Sequence, residues 1–494
     1  SYLSGGVNEI SARMPSAIAT IFMVAGFYLF LSRRYADRSR ARFVAVLSTA
    51  VTVTAFEVFR AATACRVDMV LTACMVGAIL LFNRRREKVG KPSVSIFGLL
   101  LMACAVLTKG PVGMLLPCLI LGIYFLLRGD NFWRTFGVLA FSGLLSLAAY
   151  AAWMYLALMQ GGQQFADLVW EENIGRMTGT MSYESHVNPF YYNFITIIAG
   201  MIPYTLAALM ALFIVKWKGI SLGKAWDTLK NLQPVSLLSL VVVVVTLIFY
   251  TIPASKRSVY LLPLYPFLSY FTALMLIVTA ERSRRITSIY SGLLAFLAIL
   301  AAVVTVILNA MPLQDAIVGL KPDTARYLEA LGEWNISFAG WICIACACIA
   351  GFYTFRSIRS GDNDSVMGWG IASTFAIYWV MASTIQPAVL SSKSDIRFAR
   401  VLQHYAADDE TVYQYIDDPM LRYYTTGFYL NDRVVPIQGR SPKQGYIMIN
   451  DNNMESFSRE YGEKYKLSPV YTSPFKSCDT RGLTTIYYFS SDLR

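Results

Sequence analysis

The chain has 494 residues, 56% of them hydrophobic and 15% charged, with a mean hydropathy of +0.48 and a formal net charge of +12. So apolar a composition excludes a soluble globular enzyme and points to a polytopic membrane protein. The positive charge is dispersed over short segments between apolar runs, which excludes the continuous basic face of a nucleic-acid-binding protein.

The chain opens on "SYLSGGVNEISARMPSAIAT", which reads as the end of an outer loop entering a helix with Pro15 in its first turn. No initiator methionine or signal peptide precedes it, so an N-terminal segment is expected to be missing. Roughly twelve apolar stretches follow, each long enough to cross about 30 Å of hydrocarbon, some only with their interfacial ends included. They lie near 14–32, 43–59, 67–83, 94–108, 112–127, 135–158, 190–215, 235–253, 259–280, 287–309, 336–355 and 367–386. Alternate loops are basic: "RRYADRSRAR" (33–42), "RRREKVGK" (84–91), "RGDNFWR" (128–134), "KWKGISLGKAWDTLK" (216–230), "ERSRR" (281–285) and "FRSIRS" (355–360). About twenty Lys and Arg fall there against roughly nine in the intervening loops, so the basic loops are expected in the cytoplasm and both chain ends outside it.

Two outer segments are long: 159–189, with a short amphipathic piece around 164–176, and 311–335, which reads as an ordinary loop. After the last span the composition turns polar. Strand-like runs "TVYQYI", "RVVPI", "GYIMI" and "TTIYYF", with helical patterns at 393–406 and 453–465, predict a small α/β domain over 388–494 following a membrane domain over 1–387. Of the eight cysteines, seven lie in or at the ends of spans and Cys478 stands alone outside, which excludes a disulfide framework. "CIACAC" (343–348) has the sulfur spacing of a metal site, but it sits in a span with no His or carboxylate nearby and reads as helix packing.

Charged groups at membrane depth are costly unless paired, hydrated or used. Four groups qualify: Arg66 and Asp68 in "ACRVDMVL"; Lys109 in "VLTKGPVGMLLP", held by Gly110 and Pro111; Lys256, Arg257 and Tyr260 in "ASKRSVYLLPLYP"; and Glu171, Glu172, Arg176, Tyr183, Glu184 and His186 in the long loop. The loop-charge topology puts all four at the outer face. Gathered cations, carboxylates and tyrosines suit a lipid-linked phosphate, the cations neutralising it and a carboxylate activating an acceptor hydroxyl. Each has a plainer alternative: interfacial Lys and Arg snorkel to headgroups, Arg66 and Asp68 can pair to cap a helix, and His186 can simply start one. His404 reads as a surface residue, and one His with scattered carboxylates makes a weak zinc motif.

"NEISARMPSAIAT", "CRVDMVL", "LTKGPVGMLLP", "WEENIGRM", "HVNPFYY", "IPY" and "SKRSVYLLPLYPFL" occur in the order found in bacterial glycosyltransferase family 39. The chain resembles these membrane enzymes, relatives of protein O-mannosyltransferases, and in particular the lipid A 4-amino-4-deoxy-L-arabinose transferase group. The resemblance covers about residues 5–270 closely and the remainder by architecture. It implies a polytopic α-helical GT-C fold of thirteen spans with a C-terminal periplasmic α/β domain, in the bacterial inner membrane, using a polyprenyl-phosphate sugar donor and lipid A or another envelope acceptor. It further implies that Asp68 and Lys109 line the donor cavity as catalytic groups and that Tyr260 approaches the donor phosphate. His186 would anchor the outer loops, with zinc or another divalent cation as a candidate structural ion and no cofactor required. Arg66, Lys256 and Arg257 are expected to help bind the phosphate, and Glu171, Glu172 and Arg176 to complete the site from the long loop. The first outer loop of the family, with its acidic residue and "EKPP"-like lysine, is absent, so the chain alone is expected to be inactive. "SKRSVY" stands where relatives often carry a Gly-Lys-Leu-Pro-like turn, which leaves Arg257 without a role carried over from them. A protein or surface-glycan acceptor is the first alternative. A transporter or lipid flippase is the second, disfavoured because the charges gather at one face and no internal repeat is evident.

Overall fold

The computed structural model describes residues 7–34, 37–170, 178, 187–214, 231–311, 320, 322–407, 409–418 and 421–491. These form two compact units, one of residues 1–296 with 350–375 and the other of residues 297–349 with 376–494.

Each apolar stretch of the sequence carries helix among the described residues. The chain runs through α1 (Glu9–Leu31), α2 (Arg38–Thr54), α3 (Phe56–Ala62), α4 (Asp68–Val89), α5 (Ile96–Lys109), α6 (Val112–Leu127), α7 (Phe132–Trp170), α8 (Tyr192–Gly200), α9 (Tyr204–Ala211), α10 (Pro234–Thr251), α11 (Tyr265–Arg282) and α12 (Arg284–Ala310). It continues through α13 (Pro322–Gly332), α14 (Phe338–Ser360) and α15 (Asn363–Ser383). Among the described residues, seven helices are long and apolar enough to cross a membrane, or nine if each of two bent pairs is one span. The bent pairs are α2 with α3, at 69°, and Tyr192–Gly200 with Tyr204–Ile214, at 98°; α5 and α6 are shorter apolar helices.

Local chemistry sets several boundaries differently from the hydropathy pattern. Asn8 and Ser11 form a capping box, with the Ser11 N–H on Asn8 Oδ1 at 2.9 Å, so α1 starts at Glu9 and Pro15 falls beyond the first turn. The basic stretch after residue 83 continues α4 rather than leaving it. Arg86 and Lys88 lie in the last turn, where cations suit the negative end of the helix dipole, and Gly90 ends the helix at φ 78°. Arg86 also grips Asp130 through Nε at 2.9 Å and Nη2 at 3.2 Å, and Arg34 pairs with Glu87. The segment expected as an ordinary loop carries α13, whose Pro322 opens a run of strong helix formers.

The core of the first unit is a continuous apolar cluster to which α1, α2, α4, α5, α6, α10 and α11 all contribute. Its fully buried side chains include Phe27, Phe82, Phe125, Phe267 and Tyr270.

In the second unit, α16 (Ile385–Ser392) and α17 (Ile396–Tyr405) lead into a five-stranded sheet. Its strands are β1 (Val412–Tyr415), β2 (Val434–Pro436), β3 (Gln444–Asn450), β4 (Tyr465–Lys476) and β5 (Leu483–Ser491), with α18 (Tyr424–Tyr429) and α19 (Met454–Tyr461) between them. The order is β2-β1-β3-β5-β4; β1 is parallel to β2 and β3, and β5 is antiparallel to β3 and β4. Central β3 is covered on both faces, with Ile447, Met448 and Ile449 at most 1% exposed. On one side Phe398 and Leu402 of α17 pack with Met448 and Ile486, and on the other Phe457 of α19 packs with Ile447, Ile449 and Phe489. Burial of Phe398 and Leu402 supplies about 4 kcal/mol toward docking that helix. Strand β4 had no counterpart in the sequence pattern, which placed its start inside a helix. It carries Pro469 and Pro474, which suit only an edge, and it pairs with β5 through register shifts after both Pro469 and Thr472.

Candidate functional site

Three of the sequence-selected groups meet at one end of the helical bundle. The short turn after α3 starts α4 at Asp68, which is 7% exposed. Lys109 is the last residue of α5, and Gly110, at φ 81°, turns the chain sharply into α6. The Lys109 ammonium forms an ion pair with Asp68 Oδ1 and stands 4.7 Å from the centroid of the Tyr260 ring. Tyr260 sits in the 3₁₀ turn Ser258–Leu264 before α11 and packs against Tyr250 of α10, with ring centroids 5.4 Å apart. One ammonium thus bridges a carboxylate and an aromatic face and is held by both. The Lys109 side chain remains about a quarter exposed, at 28%, so an anion can reach it.

The other predicted residues fall differently. Lys256 is 5% exposed, and its ammonium donates to the carbonyls of Pro253 at 2.7 Å, Asn188 at 3.0 Å and Ala254 at 3.4 Å. Asn188 answers with its Nδ2 on the Lys256 carbonyl at 3.1 Å, and Val187 bridges Ser255 in antiparallel fashion. These bonds engage all three ammonium protons, so a phosphate could take Lys256 only by displacing a backbone carbonyl. Arg257 is partly buried, and its Nε has no hydrogen-bond partner among the described residues. Arg66 is exposed, and its carbonyl accepts the Ser16 hydroxyl at 2.7 Å. Glu171, Glu172, Arg176, Tyr183, Glu184 and His186 lie outside the described residues. His404 is exposed on α17.

We expect Lys256→Met to destabilise the protein by about 3 kcal/mol, because three part-buried carbonyls lose a charged donor. The thermal midpoint in detergent should fall by several degrees. An unchanged midpoint combined with lost donor affinity would instead give Lys256 a phosphate-binding role.

Two further charged residues were not singled out in the sequence. Glu57 of α3 is 3% exposed and accepts from Arg60 Nε at 3.1 Å and Nη2 at 2.6 Å. Arg60 Nη2 also donates to Ser258 Oγ at 2.9 Å, the first residue of the Tyr260 turn. The signal was available: Glu and Arg three apart inside "FEVFRAA" are an ion pair on one helix face within an apolar segment.

In the second unit Asp395, Cys478 and Asp479 bring ligand atoms within 4.8 Å of one another. Their carboxylates are already engaged: Asp395 accepts from Ser477 Oγ at 2.6 Å and Cys478 N at 3.1 Å, and Asp479 accepts from Thr425 N at 2.8 Å. This set ties the start of α17 to the β4–β5 turn as a structural clamp. Asp395→Ala should cost about 2–3 kcal/mol by stranding a buried hydroxyl and an N–H. The result would show as earlier loss of protection at Ser477 and Cys478 in hydrogen exchange.

The sequence profile of the dolichyl-phosphate-mannose-protein mannosyltransferase family matches residues 1–155. An undecaprenyl phosphate-alpha-4-amino-4-deoxy-L-arabinose arabinosyl transferase of Enterobacter sp. (strain 638) is 23% identical over 408 residues, 81% of this chain and 66% of that protein. Two proteins of Aquifex aeolicus (strain VF5) are 25% and 29% identical, each over 54% of this chain and over 49% and 56% of their own lengths. The chain thus spans about half to two thirds of the curated relatives it matches. The structure of ArnT from Cupriavidus metallidurans bound to undecaprenyl phosphate superposes with a TM-score of 0.66 at 17% identity, over 99% of this chain and 85% of that one. Its apo form gives 0.64 at 16% identity, over 96% and 83%. The fold is ArnT-like: a mostly helical membrane part with a small C-terminal sheet domain.

Proposed function

We propose that this protein is a glycosyltransferase that takes a sugar from a polyprenyl-phosphate donor and passes it to lipid A or another envelope acceptor. The reaction would take place at the periplasmic face of the bacterial inner membrane, with residues 388–494 forming a periplasmic domain. The observation that carries this reading is the Lys109 ammonium held between Asp68 and Tyr260 at a reachable end of the bundle. The resemblance to an undecaprenyl phosphate-bound ArnT supports the donor class.

The chemistry is an inverting displacement. An acceptor oxygen, its proton taken by a carboxylate, attacks the anomeric carbon as the bond to the phosphate oxygen breaks. The electron pair leaves with the polyprenyl phosphate. Lys109 faces that growing negative charge, while Asp68 fixes the ammonium and lowers its freedom to swing away. Arg257 adds a second cation. Its buried Nε, without an acceptor among the described residues, is a donor whose desolvation an anion would offset. Tyr260 presents its ring to Lys109, and its hydroxyl would donate to the donor phosphate. Arg66 serves as an exposed outer cation, and Glu171, Glu172, Arg176 and His186 close the site from the long loop. No cofactor is required, since side-chain cations stabilise the leaving phosphate directly; a structural zinc or other divalent cation at His186 would act only on loop order.

A protein acceptor is the second reading, favoured by the mannosyltransferase match over residues 1–155. Mass spectrometry of lipid A, surface glycans and envelope proteins from cells with and without the gene separates them. Loss of a pentosamine- or hexose-sized addition on lipid A supports the first. Loss of protein or surface glycosylation keeps the chemistry and moves the acceptor. No change in any of them contradicts the transferase reading and favours transport.

A further inference from the structure

We infer that the Glu57–Arg60 pair is a positioning device for the donor site, setting the turn that carries Arg257 and Tyr260; this rests on the donor-site reading above. The geometry forms a relay. Glu57 is almost fully buried and takes two N–H groups of one guanidinium, a fork that fixes the plane of Arg60. The fixed guanidinium then donates from Nη2 to Ser258 Oγ at 2.9 Å. Ser258 opens the 3₁₀ turn, directly after Arg257 and two residues before Tyr260, and the Tyr260 N–H closes on the Arg257 carbonyl at 3.1 Å. Tyr260 in turn carries Lys109 on its ring. A single hydroxyl therefore links a buried ion pair to the cations and the aromatic ring of the site.

The anchor is rigid on its far side as well. The Phe56 N–H at the start of α3 donates to the Ile202 carbonyl at 3.2 Å. Gly200 lets α8 close against Glu57 and Tyr265: a Cβ there would stand 3.0 Å from Glu57 Cβ and 2.9 Å from Tyr265 Cζ. Glu57 is thus packed between elements and cannot follow Arg60 if the turn moves. Arg60 itself keeps 36% of its side chain exposed, so its contribution is directional rather than a matter of burial. A generic ion pair holding α3 together would need no contact with Ser258; the link to the turn distinguishes the two roles.

The test uses undecaprenyl phosphate as the probe, with equilibrium binding and thermal midpoints measured in detergent on the protein expressed from its own gene. Ser258→Ala removes only the link and should weaken binding about 5- to 10-fold with no change in midpoint. Ser258→Thr, which keeps a hydroxyl, should restore it. Arg60→Lys keeps the charge but cannot span both Glu57 oxygens and Ser258, and should resemble Ser258→Ala. The double variant Ser258→Ala with Arg60→Lys should be no worse than either alone, because both break one link. Wild-type affinity in Ser258→Ala, or losses that add in the double variant, would overturn the relay while leaving the donor site intact. Absence of binding by the wild-type protein would overturn both.

Discussion

Replacing Lys109 with methionine in the protein expressed from its own gene should lower sugar transfer by about 100- to 1,000-fold, the usual consequence of removing one preorganised charge facing a developing anion. Methionine keeps most of the length and apolar contact of the lysine stem, so the loss reports the ammonium. The change also strands Asp68, a residue 7% exposed, and an unpaired buried charge costs about 3–5 kcal/mol. A stability loss could therefore imitate a catalytic one. The double variant Lys109→Met with Asp68→Asn separates them: the thermal midpoint should recover because no charge remains unpaired, while transfer stays low because the leaving phosphate still lacks its cation. Recovery of transfer along with stability would mean that the pair serves only the fold.

Gly113→Val should be strongly damaging although it touches no charged group. Gly113 lies in the first turn of α6, where the helix crosses α5 so closely that a Cβ would stand 2.5 Å from Val106 N and 2.6 Å from Ala105 O. Both are backbone atoms of a buried helical turn, and neither can swing aside. The crossing would have to open, at a cost of about 3 kcal/mol or more, and opening it shifts the Lys109–Gly110–Pro111 turn on which the site depends. We expect a fall of the thermal midpoint and of expression, with residual transfer lost in parallel. Gly143→Ala is the control. A Cβ there meets Met114 Sδ at 3.0 Å, the end of a flexible side chain that can move, so it should be tolerated.

The helices were legible in the sequence because their apolar runs are long, and the Lys109 turn because Gly and Pro punctuate it. The bends were legible only in part. Pro203 marks the break between α8 and α9, whereas the break between α2 and α3 falls at Ala55 in "TVTAFEV", with neither Gly nor Pro to announce it. Strand β4 was hidden by its prolines, which weigh against a strand unless its edge position is already known. The partners of Lys256 were also out of reach: they are carbonyls, two nearby in the chain and one 68 residues away at Asn188. Glu57 and Arg60 were readable in principle as charges inside an apolar segment. Their link to Ser258 spans 198 residues and exists only in the fold.

The measurement that bears most directly on the donor site compares undecaprenyl phosphate with undecaprenol, which differs only by the phosphate, as ligands of the wild-type protein and of Lys109→Met. A phosphate-binding role for Lys109 requires that the wild-type protein prefer the phosphate by about 30-fold or more and that the variant lose most of that preference. Equal binding of the two lipids by the wild-type protein, or a preference that survives in Lys109→Met, would contradict it.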